Sequence, residues 1–537
     1  MRTKLLCKRA MLGAAGLFFS PAPAWAQADT ESVDWSRLVG FEGSDTTNPY
    51  YWPPNPAINW VGSVTSQADP VMNADIARAS FGVTGAGVKI GVISDSFDVL
   101  GGASAGIASG DLPGLGNANG FVTPVTVVKD DVAGTDEGRG MIELIHDLAP
   151  GAEILFHSAF NNPGPAGAAP STTIANAIDA LRVAGADIIV DDVGILTSAK
   201  YQDGAAARAV NDAFAAGVAY FSSAGNNADN AQQQTFSSSG PVIGFNDLHA
   251  FDGATDQILD LGVIQPGQTF RATLRWADPY ASLGGTPTTD LSLSIIDITN
   301  LSAVVFDQDQ LAGADPFEFA TFINDTGVPI EAGLIIDRVA GDPAKLVSVE
   351  VFGQDIADDD DTNSPTIHGH NAAEGALAVA AQFYADAGLD EVEAFSALGP
   401  TLILFDEDGN PLDTPEVRAT PDLTGVDGTD TSFFPAGLAT DVESNGFPNF
   451  FGTSAAAPHV AAVAALTLER AADLGLTLTP AELRDVLLAS TVDIESPGFD
   501  NLSGFGRLDA QLAIAQVPEP AAATLLGLGA VAMLRRR

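Results

Sequence analysis

The chain has 537 residues, a formal net charge of −46 at pH 7 and one cysteine. Because so acidic a surface repels phosphate groups, the charge excludes nucleic acid and anionic membrane surfaces as binding partners. The cysteine, Cys7, lies in an N-terminal segment with the features of a removable signal. The mature chain should therefore contain no disulfide, no thiolate metal site and no cysteine nucleophile.

Residues 1–26 predict a signal peptide. Four basic residues come first, an apolar run follows at 10–19, and small residues surround the expected cleavage position. The alternative is a buried N-terminal helix, which Pro21 and Pro23 would break. Residues 27–66, rich in Asn, Pro, Ser and aromatic residues, predict an N-terminal extension with little regular structure.

From Ala74 the chain alternates between short β-branched runs and helical patterns. This alternation predicts the α/β class, with a doubly wound parallel sheet. The expected strands are 88–93, 152–156, 187–190 and 218–221, and the expected helices are 138–148, 173–184 and 204–216.

Helical periodicity stops near Phe236. Runs that alternate between apolar and polar residues replace it at 270–276, 291–296 and 346–351. This pattern predicts an all-β sandwich inserted at 236–360. The α/β domain would then consist of two parts, residues 67–235 and 361–516.

The C-terminal residues 517–537 predict a sorting signal. Val517-Pro518-Glu519-Pro520 precedes an apolar run at 521–534 and three arginines. Fourteen apolar residues are short for a membrane span, which needs about 20. The segment resembles the PEP-CTERM tail of Gram-negative bacteria, although an ordinary hydrophobic helix end is the alternative. The resemblance implies recognition by an exosortase, membrane contact only before the tail is removed, and a protein that is secreted or associated with the cell envelope.

The most specific motif is the nine-residue string from Gly452 to Val460, which contains Ser454 between a glycine and an alanine-rich helix. A serine at a helix N-terminus lies in a field that favours developing negative charge. The alternative for an isolated serine is a helix cap. The whole string resembles the nucleophile motif of subtilases, the subtilisin-like serine peptidases.

Three further segments occur in the chain order of that family. Asp95 ends the first expected strand, Asn226 follows the fourth, and a glycine motif occupies 503–510. The resemblance implies that Asp95 is the acidic member of a triad and that Asn226 binds the oxyanion. A turn or cap is the alternative for each of these two residues. The carboxyl ends of parallel strands face the ligand crevice, which agrees with both positions.

The histidine that subtilases carry at the start of the helix after the second strand is absent. Glu137 occupies the corresponding place, and it resembles the glutamate base of sedolisins. Sedolisins carry an aspartate four residues later, where this chain has Met141, and their oxyanion residue is an aspartate. The chain therefore resembles a subtilase with a sedolisin-like base. A helix N-terminal residue stabilised by the dipole is the alternative for Glu137.

A glutamate base needs a raised pKa, because a free glutamate titrates near pH 4.3. Burial and a neighbouring Asp95 would raise this pKa, and the two carboxyls would then titrate as a pair. We therefore expect activity below neutrality that fades as both groups ionise. Four histidines are alternative bases, and a structural role is expected for each: His146, His368, His370 and His459.

No cofactor is expected. The acidic clusters at 358–361 and 406–410 could bind calcium, but their spacing is irregular and instead indicates a linker and a turn. Two functions remain open. One is an endopeptidase that binds extended peptides and has a side-chain preference set near residues 191–194. The other is an inactive pseudopeptidase that serves as a surface binding module.

Overall fold

The computed structural model describes residues 62–517 apart from short gaps at 133, 161–169, 242–244, 254–255, 301, 307–313, 344, 358–363 and 435–439. The predicted signal peptide, nearly all of the extension, the acidic cluster at 358–361 and the sorting tail after Val517 lie outside the described residues. Within the described ranges, no helix is long and apolar enough to cross a membrane.

The first part of the chain alternates helices and strands. Its elements are α1 (Ala68–Val71), α2 (Ala74–Phe81), β1 (Lys89–Ser94), α3 (Ala103–Ser109), β2 (Thr126–Lys129), α4 (Glu137–Leu148), β3 (Glu153–Ser158), α5 (Pro170–Val183), β4 (Ile188–Asp191), α6 (Ala205–Ala215) and β5 (Ala219–Ser223).

A run of strands follows: β6 (Ala231–Thr235), β7 (Leu259–Ile264), β8 (Thr269–Trp276), β9 (Asp290–Asp297), β10 (Ser302–Phe306), β11 (Phe317–Ile323), β12 (Ile330–Ala340) and β13 (Leu346–Phe352).

The last part contains β14 (Ala376–Phe383), β15 (Thr401–Phe405), β16 (Pro411–Arg418), β17 (Leu423–Asp427), β18 (Thr429–Asp430), β19 (Asn449–Phe450), α7 (Thr453–Asp473), α8 (Pro480–Leu488), β20 (Thr491–Val492), β21 (Arg507–Leu508) and α9 (Ala510–Gln516).

In the described part of the chain, the main sheet has nine strands in the order β2-β3-β1-β4-β5-β14-β17-β21-β20, and only the β20–β21 pair is antiparallel. The predicted α/β class with a large parallel sheet is confirmed. In this sheet β1 pairs with β3 on one side. On its other side it pairs with β4, which comes later in the chain. The carboxyl ends of β1 and β4 therefore flank a switch point, where doubly wound sheets form their crevice.

Helices cover both faces of this sheet. Alternate residues of β1 and β4 pack against α4 and α7 on one face and against α5 and α6 on the other. Gly425 on β17 allows α7 to approach closely, because a Cβ at this position would lie 2.5 Å from the backbone oxygen of Ala456. This close packing positions the N-terminus of α7 at the crevice.

The strands β6 to β13 form two antiparallel four-stranded sheets, β10-β9-β12-β7 and β11-β8-β13-β6, around their own core. β6 belongs to this sandwich, so the change of architecture precedes Phe236, where the sequence pattern placed it. A short glutamine-rich strand has no apolar alternation, which explains the difference. The strands β5 and β14 flank the sandwich in the sequence and pair in parallel, so the main sheet continues past the insertion.

A buried ion cluster joins the sandwich to the segment that follows β4. Glu350 on β13 lies 2.6 Å from the Lys200 ammonium and 3.2 Å from the Arg275 guanidinium. Arg275 donates to the backbone oxygens of Ser198, at 3.1 Å, and Leu196. Burial alone would raise the pKa of Glu350, but the charges of Lys200, His368 and Arg275 and the hydrogen bond from Lys200 together outweigh it and lower that pKa to about 2. The sandwich therefore holds residues 196–200 in place.

The buried carboxyl of Glu143 should make the unfolding free energy depend on pH. Glu143 on α4 accepts hydrogen bonds from the backbone and hydroxyl of Ser432, and burial and the charge of Asp111 raise its pKa to about 8. A carboxyl whose pKa is higher in the folded protein than in the unfolded chain adds to the unfolding free energy. This contribution is complete below the unfolded pKa of 4.5 and is lost as pH rises through about 8. At 1.36 kcal/mol per unit, the loss amounts to about 3–5 kcal/mol.

Glu143→Gln should therefore flatten the fall in unfolding free energy between about pH 5 and pH 8. Denaturant unfolding of both proteins at each pH measures this difference and cancels the titration of other groups. Parallel curves for the two proteins would contradict the assignment.

Candidate active site

Asp95 follows β1 at the switch point, where the sequence placed it. Its side chain is 2% exposed and accepts hydrogen bonds from the backbone amides of Ser96, Thr135 and Glu137, the last at 2.9 Å. The hydroxyl of Thr135 donates to it at 2.7 Å. Asp95 therefore fixes the backbone that leads into α4, and it acts on the Glu137 side chain through its charge rather than through a direct hydrogen bond.

Glu137 is the first residue of α4. The preceding residue, Asp136, has a left-handed backbone with φ of 62°. Asp136 accepts hydrogen bonds from the backbone amides of Val99 and Leu100, at 2.8 and 3.0 Å, and pairs with Arg139 at 3.2 Å. These contacts fix the turn, so the partly buried side chain of Glu137 projects from a rigid helix start.

The Glu137 carboxyl lies beside the hydroxyl of Ser454 and the carboxyl of Asp192. Desolvation, then the negative charge of Asp95, raise the pKa of Glu137 to about 8, against the opposing effect of hydrogen bonding to Ser454 and Asp192. A carboxyl that shares one proton with a neighbouring carboxyl leaves one carboxylate free to accept another proton near neutral pH, which an isolated glutamate does poorly.

Asp192 is not among the site residues predicted from the sequence, where residues 191–194 were expected only to set side-chain preference. It directly follows β4, and the hydroxyl of Ser94 donates to it at 3.0 Å. Desolvation, then the charges of Glu137 and Asp95, raise its pKa well above the ordinary value. The signal was available, because Asp192 ends a buried parallel strand in the same way as Asp95.

Ser454 is the second residue of α7 and is 4% exposed. The helix start is fixed by Gly452, whose backbone has φ of 111° and whose amide donates to Asp427 at 2.7 Å. The nucleophile candidate therefore sits where the unpaired amides and dipole of a long helix favour negative charge.

Asn226 lies directly beside this helix start. Its Oδ1 accepts hydrogen bonds from the amide of Thr453, at 3.0 Å, and from the Thr453 hydroxyl, at 2.8 Å. The Thr453 hydroxyl in turn accepts from the amide of Gly225 at 3.1 Å. Because Oδ1 is held in this way, the Nδ2 group is the donor that remains for a ligand next to Ser454.

The four histidines have structural partners. His146 lies 3.4 Å from Asn117, and the ring of His459 contacts Ser66 and the carbonyl of Val426, each at 2.8 Å. Burial lowers the pKa of both rings to about 4.

The other two histidines bind carboxylates away from Ser454. His370 contacts Asp191 at 3.0 Å, and His368 lies 3.7 Å from Glu350 in the ion cluster. Asp191 and Asp192 are consecutive but have different partners, since Asp191 contacts His370 and Ser222 whereas Asp192 contacts Ser94. Within the described residues, the group beside Ser454 that can accept its proton is thus the carboxyl of Glu137.

The acidic segment 406–410 forms a turn. Asp406 Oδ1 accepts hydrogen bonds from the backbone amides of Asp408 and Asn410, at 3.0 and 2.8 Å. In the part of the chain that the structure describes, no group of three or more His, Cys, Asp or Glu side chains could hold a metal ion.

Comparisons with known proteins concern the fold and the C-terminal part of the chain. The model of the subtilase family, Peptidase_S8, matches residues 353–506, which include Ser454 and the glycine motif at 503–510 but not Asp95, Glu137 or Asn226. A segment of 63 residues is 46% identical to the extracellular basic protease of Dichelobacter nodosus. That segment covers 12% of this chain and 10% of the relative, so the match spans about a tenth of the relative's length.

Among solved structures, the CspB protease of Clostridium perfringens matches with a TM-score of 0.50 and 12% identity, over 84% of this chain and 98% of that one. The prenylagaramide maturation protease PagA matches with a TM-score of 0.39 and 14% identity, over 84% of this chain and 98% of that one. At such low identity, the likeness to CspB shows the fold alone. The chain therefore has a subtilisin-like fold, and its residues 353–506 match the model of the subtilase family.

Proposed function

We propose that this protein is a serine-type endopeptidase in which Ser454 is the nucleophile and Glu137 the general base. The observation that carries the proposal is the contact of the Ser454 hydroxyl with a carboxyl whose pKa is raised to about 8. The same helix start presents the Asn226 amide, so nucleophile, base and oxyanion donor meet at one point. A subtilase domain and a subtilisin-like fold support this assignment.

The reaction is acyl transfer. The Ser454 oxygen attacks the peptide carbonyl as its proton passes to Glu137, and the oxyanion is held by the Asn226 Nδ2 group and the Ser454 amide. Glu137 then gives this proton to the leaving amine, and an acyl-enzyme remains. Water, activated by Glu137, hydrolyses that ester and restores the serine. Loss of one oxyanion donor of this kind usually costs about 3 kcal/mol of transition-state stabilisation.

The pH optimum should lie on the acid side of neutrality. Because desolvation and the charge of Asp95 raise the pKa of Glu137 to about 8, the carboxyl cluster keeps a proton at pH values where ordinary carboxyls have lost theirs. That proton leaves as pH rises through about 8, and the remaining carboxylates then repel one another. Activity should fade over this range.

The substrate class is extended peptide or unfolded protein, laid along the crevice between the ends of β1 and β4. The signal-like N-terminus and the PEP-CTERM-like tail support export in a Gram-negative bacterium and processing by an exosortase. The similarity of one segment to an extracellular protease agrees with export.

The absence of the family's histidine from the start of α4 favours a second candidate function. The fold would then serve as an inactive surface module, with the sandwich as its contact face. The two functions differ in whether Ser454 reacts with an electrophile.

A fluorophosphonate probe decides between them, since such probes modify only serines that a neighbouring base activates. Intact and peptide mass spectrometry of the mature protein should show one adduct, located on Ser454, and Ser454→Ala should remain unmodified. Absence of any adduct between about pH 4 and pH 9, with the protein shown to be folded by circular dichroism, would reject the peptidase and favour the surface module.

A further inference from the structure

We propose that Asp192 is a positioning residue that shares one proton with Glu137 and thereby keeps the base in its working orientation. The inference rests on the proposed function and assigns the third side chain of that site. It starts from geometry, since β4 pairs with β1 and ends beside it, so that Asp192 and Asp95 leave neighbouring strands at the same edge. The Glu137 carboxyl lies between Asp192 and Ser454.

Two carboxyl groups in hydrogen-bonding contact require a proton between them, because two carboxylates have no donor to share. Asp192 also receives the Ser94 hydroxyl at 3.0 Å, which orients it towards α4. Four groups thus form a chain of contacts that ends at the nucleophile: Ser94, Asp192, Glu137 and Ser454.

The charges that act most strongly on this carboxyl pair are negative. They come from Asp95 at the end of β1 and from Asp191 on β4. Asp191 binds His370 and the Ser222 hydroxyl, and Arg139 on α4 points to Asp136 and the backbone oxygen of Phe97. With acidic neighbours on both sides, the pair is stabilised with one proton bound rather than with none.

This proton balances the reaction. In the resting state Asp192 carries it and donates to the Glu137 carboxylate. When Ser454 attacks, Glu137 takes the serine proton, and the pair holds two. Delivery of one proton to the leaving amine returns the pair to its resting state. Asp192 thus gives no proton to the substrate, and it holds Glu137 towards Ser454 throughout.

The position explains how the site works without a carboxyl on the next turn of α4. The residue one turn after Glu137 is Met141, which is fully buried in the core on the sheet side of the helix. The partner for the base comes instead from a different element, the end of β4.

The decisive measurement is the pH profile of kcat/KM for peptide cleavage by the full mature protein, between about pH 4 and pH 9. For the wild type, kcat/KM should fall on both the acid limb and the alkaline limb of this profile, because only the singly protonated carboxyl pair is active. In Asp192→Asn the amide still donates to Glu137 but cannot ionise. Its alkaline limb should disappear, so that kcat/KM reaches a plateau, while kcat at the acid optimum falls about tenfold.

Asp191→Asn is the matched control, since it makes the same substitution at the adjacent position, whose carboxyl contacts His370 and Ser222 instead of Glu137. It should keep both limbs, with the alkaline limb moved to lower pH because one negative charge near the pair is removed. Infrared difference spectra at about pH 6 give a readout independent of activity, because Asp192→Asn should lose one band of a protonated carboxyl and Asp191→Asn should not.

A two-limbed profile in Asp192→Asn, or an unchanged carboxyl band, would overturn the inference and leave Asp192 as a structural residue. Failure of the proposed function itself looks different, because the wild type would then show no cleavage that Ser454→Ala abolishes.

Discussion

Replacing Glu137 by glutamine should lower kcat/KM for peptide cleavage by about 10³-fold, with the loss in kcat rather than in KM. Glutamine keeps the size of the side chain and its contacts with Ser454 and Asp192, but it cannot take the serine proton. The residual rate should come from the oxyanion donors and substrate binding. Steady-state kinetics at the acid optimum of the wild type measures the effect.

The control for this substitution is Glu143→Gln. Glu143 lies on the same helix, has a pKa that is also raised to about 8, and hydrogen-bonds Ser432 instead of Ser454. It should keep kcat/KM within about twofold of the wild type, since it touches no reacting atom. Full activity in Glu137→Gln would move the base elsewhere, and His370→Ala would then be tested next.

Replacing Glu350 by glutamine should cost about 3–5 kcal/mol of unfolding free energy. The substitution leaves the ammonium of Lys200 and the guanidinium of Arg275 buried without the carboxylate that balances them. Denaturant unfolding measures the loss. The double variant Glu350→Gln/Lys200→Met should recover part of it, because one of the two uncompensated charges is then removed.

An exposed ion pair provides the contrast for this result. Asp179 and Arg182 pair at 2.8 Å on the surface of α5, and Asp179→Asn should cost less than about 1 kcal/mol. Equal losses from Glu350→Gln and Asp179→Asn would show that burial of the cluster adds nothing to stability.

The site residues predicted from the sequence depend on motifs as well as on local pattern. Ser454 was assigned because the whole string from Gly452 to Val460 resembles the nucleophile motif of subtilases. Asp95 was assigned because it ends a β-branched strand at the place where that family has its acidic residue. The structure brings Ser454, Asn226 and Glu137 together, and it places Asp95 beneath the backbone of Glu137.

The pairing of Glu137 with Asp192 was not predicted, because it depends on which strands are neighbours. Strand order is set by packing across the whole sheet, and a single sequence contains no local signal for it. The same limit explains why β6 was not predicted as the first strand of the sandwich. Its glutamines are buried or half-buried by pairing with β13, a contact between residues more than a hundred positions apart, rather than by their own hydrophobicity.

The insertion between β5 and β14 has a consequence for fragments of this protein. α7 carries Ser454, and its buried alanines pack against one face of the main sheet. This helix follows the sandwich in the chain. An N-terminal fragment that ends anywhere between 353 and 452 therefore lacks both Ser454 and the helix that covers this face of the sheet. Such a fragment should be unfolded, and it cannot have the proposed peptidase activity.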